Sequence, residues 1–265
     1  MAVSQEQRGA AFADLHRGEP FVIPNPWDPG SARTLESLGF EALATTSSGF
    51  AFTLARRDGA TTVDEVAAHV AALVEATTLP VSVDLENGYG SDPDDAAAAI
   101  ARAAEAGAVG GSIEDFDPGG AIYEVGHAAE RVAAAAERAH GLGFPFMLTA
   151  RAENYIRGNP DLDDTIARLQ AYERAGADVL YAPGLRDGQS IRAVCDAVAK
   201  PVNVLALGGL TMSEIAAAGA QRVSVGGALT WVAVGALVEA AEAIRERGDF
   251  SALTGPPAAI RNWSD

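Results

Sequence analysis

The sequence predicts a single (β/α)8 barrel, and three observations support this prediction. Eight apolar, β-branched runs alternate with Ala-rich segments of helical periodicity across the 265 residues. Several helical segments end at a glycine just before an apolar run, as at Gly107 and Gly176. No linker divides the chain, and eight such units in about 250 residues are typical of one barrel. A doubly wound open sheet is the alternative, although it usually has fewer strands and a Gly-rich phosphate motif after the first one.

The predicted strands share apolar and β-branched residues. They cover residues 21–25, 42–48, 81–86, 111–114, 146–151, 179–183, 202–206 and 222–226. Between them, Val63, Val66, Val70 and Val74 illustrate the helical spacing of the Ala-rich segments. We expect one domain over residues 1–265, with a C-terminal helical extension at about 229–265.

Composition and charge exclude several classes of protein. The chain is 48% hydrophobic and 21% charged, which is typical of a globular protein. Nineteen basic and 36 acidic residues give a net charge of −17, whereas nucleic acids and anionic membranes bind basic surfaces. Neither an apolar run of about 18 residues nor a signal-peptide pattern is present. We therefore expect a cytoplasmic protein that binds neither nucleic acid nor membranes.

Scarce residue types exclude several mechanisms. The only lysine, Lys200, precedes a predicted strand, on the face of a barrel opposite its active site, so Schiff-base chemistry is not expected. The only cysteine, Cys195, falls on an apolar helix face and is predicted in the core. Three of the four histidines, His16, His69 and His140, fall in helical segments and are expected on the surface. The chemistry must rest mainly on carboxylates, arginines, hydroxyls or a metal.

Carboxylates gather at the predicted C-terminal strand ends, where (β/α)8 barrels carry their active sites. Strand side chains alternate between faces, so Asp84 and Glu86 both enter the barrel mouth or neither does. Glu114 ends the adjacent strand. A hard divalent cation, Mg²⁺ or Mn²⁺, would neutralise three carboxylates in one mouth. The alternative is that they pair with Arg151 or cap loops, without a metal.

Other strand-end residues are suited to holding an anion. The guanidinium of Arg151 fits a carboxylate or phosphoryl group, although a structural salt bridge to Glu114 or Glu153 is the alternative. The hydroxyls of Ser47 and Ser48 and the nearby backbone N–H groups could also hold an anion, or could form an ordinary turn.

Four segments together resemble the isocitrate lyase/phosphoenolpyruvate mutase superfamily, and the likeness extends from about residue 24 to 227. They are NPWDPGSA at 25–32, VDLENGYG at 83–90, SIED at 112–115 and ARAE at 150–153. The resemblance implies an oligomeric barrel, a dimer or tetramer, whose C-terminal helix is exchanged between subunits. It also implies Mg²⁺ bound directly by Asp84, with Asp58, Glu86 and Glu114 in the outer shell. Glu86 stands where the family more often has Asp, so its side chain is longer by one methylene.

The resemblance further implies a small 2-oxo or 2-hydroxy carboxylate that reacts through an enolate stabilised by Mg²⁺ and Arg151. A loop matching Ser48, Gly49 and Phe50 would hold the substrate carboxylate. We also expect Trp27 and Asn203, which lie at strand ends, to contact the substrate.

The family's isocitrate-type lyases carry a Lys-x-Cys-Gly-His loop after strand four, where Cys acts as an acid. In this chain Val125 takes the Cys position if Gly126-His127 is aligned with a gap. The loop at 117–126 therefore points to Cys-free chemistry, with Tyr123, Glu124 or His127 as the proton donor. We expect a Mg²⁺-dependent lyase that cleaves a C–C bond, for example by decarboxylating an oxaloacetate-like acid. P–C chemistry, as in phosphonopyruvate hydrolase or the mutase, and non-catalytic binding of a 2-oxo acid remain the alternatives.

Overall fold

The computed structural model describes residues 3–260 and contains eight parallel strands surrounded by helices. The strands are β1 Phe21–Ile23, β2 Leu43–Ala44, β3 Val81–Asp84, β4 Gly110–Glu114, β5 Met147–Arg151, β6 Val179–Tyr181, β7 Val202–Leu205 and β8 Arg222–Ser224. The helices are α1 Gln5–Leu15, α2 Pro29–Ser37, α3 Ser47–Thr53, α4 Val63–Ala76, α5 Pro93–Glu105, α6 Val125–His140, α7 Leu162–Arg174, α8 Gly188–Ala197, α9 Met212–Ala217 and α10 Ala228–Arg247, followed by a 3₁₀ turn at Ala258–Ile260.

The sheet forms a nearly closed barrel. Consecutive strands pair in parallel from β2 to β8, and β8 pairs with β1 through Phe21 and Arg222. Between β1 and β2, the amide of Ala44 donates a hydrogen bond of 3.1 Å to the carbonyl of Pro24. The predicted (β/α)8 barrel is confirmed, and all eight predicted strands are present. Most are shorter than predicted at their C-terminal ends, where the chain turns away into the loops that build the site.

The helix-ending glycines act as the sequence predicts. Gly107 and Gly176 have φ values of 99° and 104°, a left-handed conformation that residues with a Cβ rarely adopt. The packed core also uses small residues, because Ala faces of α5 and α6 are buried against each other and against the sheet. Cys195 is half-buried and packs against this core.

The interior of the barrel is unusually polar. Barrel interiors are commonly filled by Val, Ile and Leu. Here the buried polar residues on the strands and at their ends are Asn25, Thr45, Ser82, Thr149, Asn203, Arg222 and Ser224. Polar side chains at this depth leave room for water or a ligand well below the mouth of the barrel.

Two of the three histidines expected on the surface are buried. His16 follows α1, its Nδ1 lies 2.8 Å from the carbonyl oxygen of Phe12, and burial lowers its pKa to about 3. His69, on α4, stacks on the ring of Phe50 at 4.0 Å, and burial lowers its pKa to about 4. His140 is exposed, as expected. The surface prediction for His16 and His69 was wrong because α1 and α4 pack these faces inward. A single polar residue does not alter an otherwise apolar face.

The C-terminal extension is only partly described. Helix α10 covers about half of the predicted 229–265 segment, and residues 261–265 lie outside the described part. Only Thr230 and Ala243 of α10 are buried, while Trp231, Val232, Leu237 and Val238 are exposed. Across residues 3–260, no helix combines the length and the apolar character that a membrane span requires. Exchange of α10 between subunits stays a prediction.

The burial of His69 predicts a pH-dependent loss of stability. The folded state keeps this imidazole neutral, so the unfolded state binds more protons between pH values of about 6.5 and 4. Stability is therefore lost as the pH falls through this range. His69→Phe keeps the stacking on Phe50 and removes the titration. We expect it to lessen the loss of unfolding free energy between pH 7 and 5 by up to about 2 kcal/mol, as measured by urea denaturation.

The wild-type protein, measured at the same pH values, is the reference for this variant. An equal pH dependence in His69→Phe and wild type would show that His69 is not held neutral by the fold.

Candidate active site

Two neighbouring chambers open at the C-terminal ends of the strands. The first has a volume of about 190 Å³ and extends from the mouth into the polar barrel interior. The second has a volume of about 280 Å³ and lies between the loops that follow β3, β4 and β5. Ser47, Asp58 and Arg151 line both chambers. The predicted position of the site at the strand ends is therefore where the cavity is found.

Arg151 lies at the centre of this site and contacts three carboxylates. Its Nη1 is 3.1 Å from Asp84 Oδ1, and its Nη2 is 3.1 Å from Glu114 Oε2 and 2.7 Å from Glu153 Oε1. Strand register produces this cluster, because Glu114 pairs with Arg151 across β4 and β5. The salt bridges considered as an alternative role for Arg151 are therefore present. They hold its guanidinium in one orientation at the wall of the first chamber.

A second arginine, which the sequence did not single out, completes the cluster. Arg157 contacts Glu114 Oε1 and Glu153 Oε2, both at 3.1 Å, and its guanidinium lies 3.7 Å above the ring of Phe116. A helical turn after β5 places Arg157 four residues beyond Glu153. That spacing was the available signal, since residues four apart on a helical turn are neighbours.

Negative charge nevertheless exceeds positive charge around the chambers. Asp58, Asp84, Glu86, Glu114 and Glu153 surround the two guanidinium groups. Burial, followed by the charges of Asp84 and Asp58, raises the pKa of Glu86 to about 7. Burial also raises the pKa values of Glu114 and Asp58. A divalent cation would relieve this mutual repulsion.

The hydrogen bonds of Asp84 are compatible with metal binding. Its Oδ1 accepts from Arg151 Nη1 at 3.1 Å, from the amide of Glu86 at 3.2 Å and from Ser112 Oγ at 3.5 Å. Within residues 3–260, no hydrogen bond is made to Oδ2. This part of the chain also has no group of three acidic, His or Cys side chains arranged to ligate one ion. A donor set of one carboxylate fits Mg²⁺, which keeps several waters and uses substrate oxygens as ligands.

Glu86 reaches the site by a different route from the predicted one. β3 ends at Asp84, so the alternation of strand side chains does not extend to Glu86. Its backbone is left-handed, with φ 51°, and Tyr89 in the same loop has φ 62°. Such conformations cost about 1–3 kcal/mol each and persist where the surrounding structure imposes them. The turn brings Glu86 into the second chamber with Asp58 and Glu114.

The predicted substrate-binding residues divide into two groups. Ser47, Ser48 and Asn203 line the first chamber with Arg151. Gly49, Phe50 and Trp27 lie behind its wall. A Cβ at Gly49 would lie 2.6 Å from Thr230 Oγ1 and 3.1 Å from Trp27 Cβ, so glycine is required for this close packing. Phe50 stacks on His69, and Trp27 faces a surface groove beside α10.

The proposed proton donors lie outside both chambers. Tyr123 Oη is 3.2 Å from Asn87 Nδ2 and 3.2 Å from Asp117 Oδ2. Asn87 lines the second chamber, so Tyr123 is one hydrogen bond away from it. His127 lies in the first turn of α6, where its Nε2 is 2.9 Å from the carbonyl oxygen of Ser91.

Comparison with known proteins agrees with this geometry. Residues 12–245 match the family model described as phosphoenolpyruvate phosphomutase. The chain belongs to this family. Members of the wider phosphoenolpyruvate mutase/isocitrate lyase superfamily are C–C lyases or mutases, so the protein is an enzyme of this type. The resemblance seen in the four sequence segments is confirmed.

Three relatives show how this phosphoenolpyruvate phosphomutase family member compares with others. A structure from Burkholderia cenocepacia J2315, provisionally assigned as a lyase/mutase, is 52% identical with a TM-score of 0.94, over 98% of this chain and 96% of that one. Oxaloacetate decarboxylase from Bradyrhizobium is 31% identical over 91% of this chain and 86% of its own. Phosphonopyruvate hydrolase, in complex with oxalate and Mg²⁺, is 22% identical with a TM-score of 0.84, over 95% and 92% of the two chains, and shows the shared fold.

Two further residues of this phosphomutase-family site were not predicted. Tyr181, on β6, lies with its ring centroid 5.2 Å from the Arg151 guanidinium, and burial raises its pKa to about 12. Arg222, on β8, lines the floor of the first chamber. Tyr181 ends β6 and Arg222 begins β8, so neither lies in the loops that follow the strands. The polar residues along β6 to β8 were the signal for them.

The packing around Gly49 predicts an effect on the chamber wall. Gly49→Ala places a methyl group within 2.6 Å of Thr46 and Thr230, so the segment carrying Ser47 and Ser48 must move. We expect a loss of about 1–3 kcal/mol in unfolding free energy, measured by chemical denaturation. Gly126→Ala is the matched control, because a Cβ at Gly126 would meet nothing within 4 Å. Equal stability of the two variants would contradict the described packing.

Proposed function

We propose that the protein is a Mg²⁺-dependent (or Mn²⁺-dependent) lyase that acts on a small 2-oxo or 2-hydroxy carboxylate through an enolate. One observation carries the proposal: Asp84, with Oδ2 free of hydrogen bonds in the described part of the chain, and the oriented guanidinium of Arg151 face the same small chamber. A carboxylate for a hard cation and a guanidinium for an anion are the groups that a chelating 2-oxo acid requires. Oxaloacetate decarboxylase activity in a 31% identical relative supports this choice of substrate class.

The residues of the site have distinct proposed roles. Asp84 ligates the metal, while Asp58, Glu86 and Glu114 accept hydrogen bonds from its waters. A bound divalent cation supplies Lewis-acid stabilisation of negative charge on the substrate oxygens. Ser47 and Ser48 hold the substrate carboxylate, and Asn203 contacts the substrate from β7. Gly49 gives the wall its close packing, and Phe50 and Trp27 support that wall from behind.

Arg151 stabilises the negative charge that develops when the C–C bond breaks. Its three carboxylate contacts fix its orientation before the reaction, so little reorganisation is needed as charge develops. Glu114 contributes in two ways, by orienting Arg151 and by facing the metal waters. Glu114 is therefore proposed both as a catalytic residue and as a metal-site residue.

Among the proposed proton donors, the geometry favours Tyr123. Its hydroxyl contacts Asn87, which lines the second chamber, whereas the His127 ring points to a backbone carbonyl away from both chambers. Burial raises the pKa of Tyr123, so the phenol keeps its proton at neutral pH. A movement of the segment between β4 and α6 would bring the hydroxyl to the substrate.

The metal assignment is tested by Asp84→Asn. The substrate is sought in a panel of 2-oxo and 2-hydroxy acids that includes oxaloacetate, methylisocitrate and phosphonopyruvate. We expect its turnover to require Mg²⁺ or Mn²⁺. The variant should lose at least about a hundredfold of this metal-dependent rate, because the amide supplies no negative charge to the ion. Products are followed by NMR, with Asp94→Asn, an exposed acid on α5, as the control.

The products distinguish the proposed reaction from its alternatives. Pyruvate or a related 2-oxo acid formed only with metal supports C–C cleavage, and released phosphate would instead indicate P–C chemistry. An unchanged rate in Asp84→Asn would refute the metal site. Metal-dependent stabilisation by an acid without any product would identify a binding protein.

We further propose that the protein forms a homo-oligomer, a dimer or tetramer, in which α10 is exchanged between subunits. The helix is 20 residues long, and it leaves Trp231, Val232, Leu237 and Val238 exposed on one chain. A contiguous exposed apolar surface is typical of a protein interface. Trp27 and Leu229 line an apolar groove beside the helix, which continues this surface.

Leu237→Asp tests this assembly. The side chain is 66% exposed on one chain, so a charge there costs little unless a partner covers it. We expect the wild type to be a dimer or tetramer by light scattering after size exclusion, and the variant to dissociate. Leu38→Asp, at the end of α2 and 59% exposed, should leave the mass unchanged. A monomeric wild type would refute the exchange.

A further inference from the structure

Arg222 is a buried cation whose hydrogen-bond partners are all uncharged side chains. It begins β8 and is 5% exposed. Its Nε donates to Asn203 Oδ1 at 2.8 Å and its Nη2 donates to Thr149 Oγ1 at 2.9 Å. Its Nη1 lies 3.2 Å from His16 Nε2. Three of the five N–H groups of the guanidinium are thus used within the protein.

His16 cannot serve as a counter-charge. Its Nδ1 is held by the Phe12 carbonyl, so the Nε2 that faces Arg222 accepts a hydrogen bond from it. Burial and the Arg222 charge lower the pKa of this imidazole to about 3, so it is neutral at physiological pH. The arrangement positions the arginine without neutralising it.

Within residues 3–260, no carboxylate lies within ion-pair distance of Arg222. Arg151 and Arg168 differ in this respect, since Arg151 contacts three carboxylates and Arg168 contacts Asp115 and Asp164. The buried Arg131 has no ion pair among these residues either, but its guanidinium donates to the backbone carbonyl groups of Asn87 and Gly90. Burial lowers the pKa of Arg222 to about 10, which still leaves it charged at neutral pH. A buried charge without a counter-ion is costly, and the cost is lowered when an anion binds beside it.

The first chamber connects Arg222 with the metal-site acid. Arg222, Asn203 and Ser224 line its inner end, and Asp84 and Arg151 line it nearer the mouth. Tyr181 connects the two ends, because it pairs with Arg151 on one side and with Asn203 on the other. Tyr181 stays neutral, because burial raises its pKa to about 12. The floor of the chamber is therefore positive and offers hydrogen-bond donors, whereas the mouth carries the excess of carboxylates.

We propose that the floor of the first chamber is an anion subsite, in which Arg222 binds the carboxylate of the ligand that is distal to Asp84. The inference rests on the proposed function only in taking the ligand to be a small 2-oxo or 2-hydroxy acid. It narrows that class to short dicarboxylates, with one carboxylate at the metal end and one on Arg222. The volume of about 190 Å³ suits a short chain.

Two acids of equal chain length test the subsite. Malate and 2-hydroxybutyrate, each as the racemate, differ in the distal carboxylate, which is a methyl group in the second acid. In the presence of Mg²⁺, calorimetry on the full-length protein should show at least about tenfold tighter binding of malate, because a charge-assisted hydrogen bond contributes roughly this factor. Equal affinities would overturn the subsite.

Substitutions of Arg222 assign the preference to this residue. Arg222→Met should remove it, and Arg222→Lys, which keeps the charge but loses the planar fork, should reduce it several-fold. Arg102→Met, an exposed residue of α5 that pairs with Asp64, should retain the full preference. A preference unchanged in Arg222→Lys would overturn the proposal, even if Arg222→Met does not fold.

The outcome is separable from that of the proposed lyase activity. Metal-dependent turnover without a preference for malate would refute the subsite and leave the lyase assignment intact. A preference that depends on Arg222, without turnover of any 2-oxo acid, would support the subsite and refute the lyase assignment.

Discussion

The structure of the site depends on one set of contacts, the ion pairs between the guanidinium of Arg151 and three carboxylates. Parallel register places Glu114 beside Arg151, and β3 brings Asp84 to the same point from the other side. The contacts use one oxygen of Asp84 and leave the other free of hydrogen bonds among residues 3–260. One cluster therefore orients the cationic group and exposes the proposed metal ligand. Because the cluster is buried, where charges are poorly screened, loss of one partner would leave another charge unpaired at a high energetic cost.

Buried polar side chains continue below the Arg151 cluster, into the interior of the barrel. A floor of Asn203, Thr149 and Arg222 replaces the branched apolar side chains that usually fill such barrels. Apolar packing must then come from elsewhere, and it comes from the Ala-rich helices pressed closely against the sheet. The residue at the end of α1, His16, closes the bottom of the polar column as a neutral hydrogen-bond acceptor. The contacts between helices and sheet therefore supply most of the apolar packing, while the barrel interior forms the binding cavity.

Sequence reasoning located the fold and the central acids because both follow local rules. Strands and helix stops depend on short patterns, and Asp84, Glu114 and Arg151 lie at the ends of strands, where parallel sheets bring side chains together. The positions of Arg157 and Arg222 in the site depend on tertiary packing. Arg157 lies in a turn after β5, and Arg222 lies at the start of β8. Glu86 lines the second chamber because of a left-handed turn, which strand alternation does not describe. Trp27 and Phe50 pack behind the chamber wall in the described structure, and their contact with the substrate stays a prediction.

The charge of the loop after β4 favours C–C cleavage over P–C cleavage. Residues 116–127 contain no Lys or Arg, and the guanidinium groups beside this segment are already engaged. Arg157 contacts Glu114 and Glu153, and Arg168, which donates to the Tyr123 carbonyl, also contacts Asp115 and Asp164. Arg131, over the Tyr123 ring, donates to backbone carbonyl groups. A phosphoryl group leaving towards this loop would carry its negative charge into a region already rich in carboxylates, which is unfavourable at short range. C–C cleavage of an acid whose distal carboxylate lies on Arg222 brings no new charge towards this loop. What the reaction does need is a proton for the enolate, and Tyr123 is held near the chamber by Asn87. The electrostatics of the loop and the position of its phenol both support decarboxylation or a related C–C cleavage.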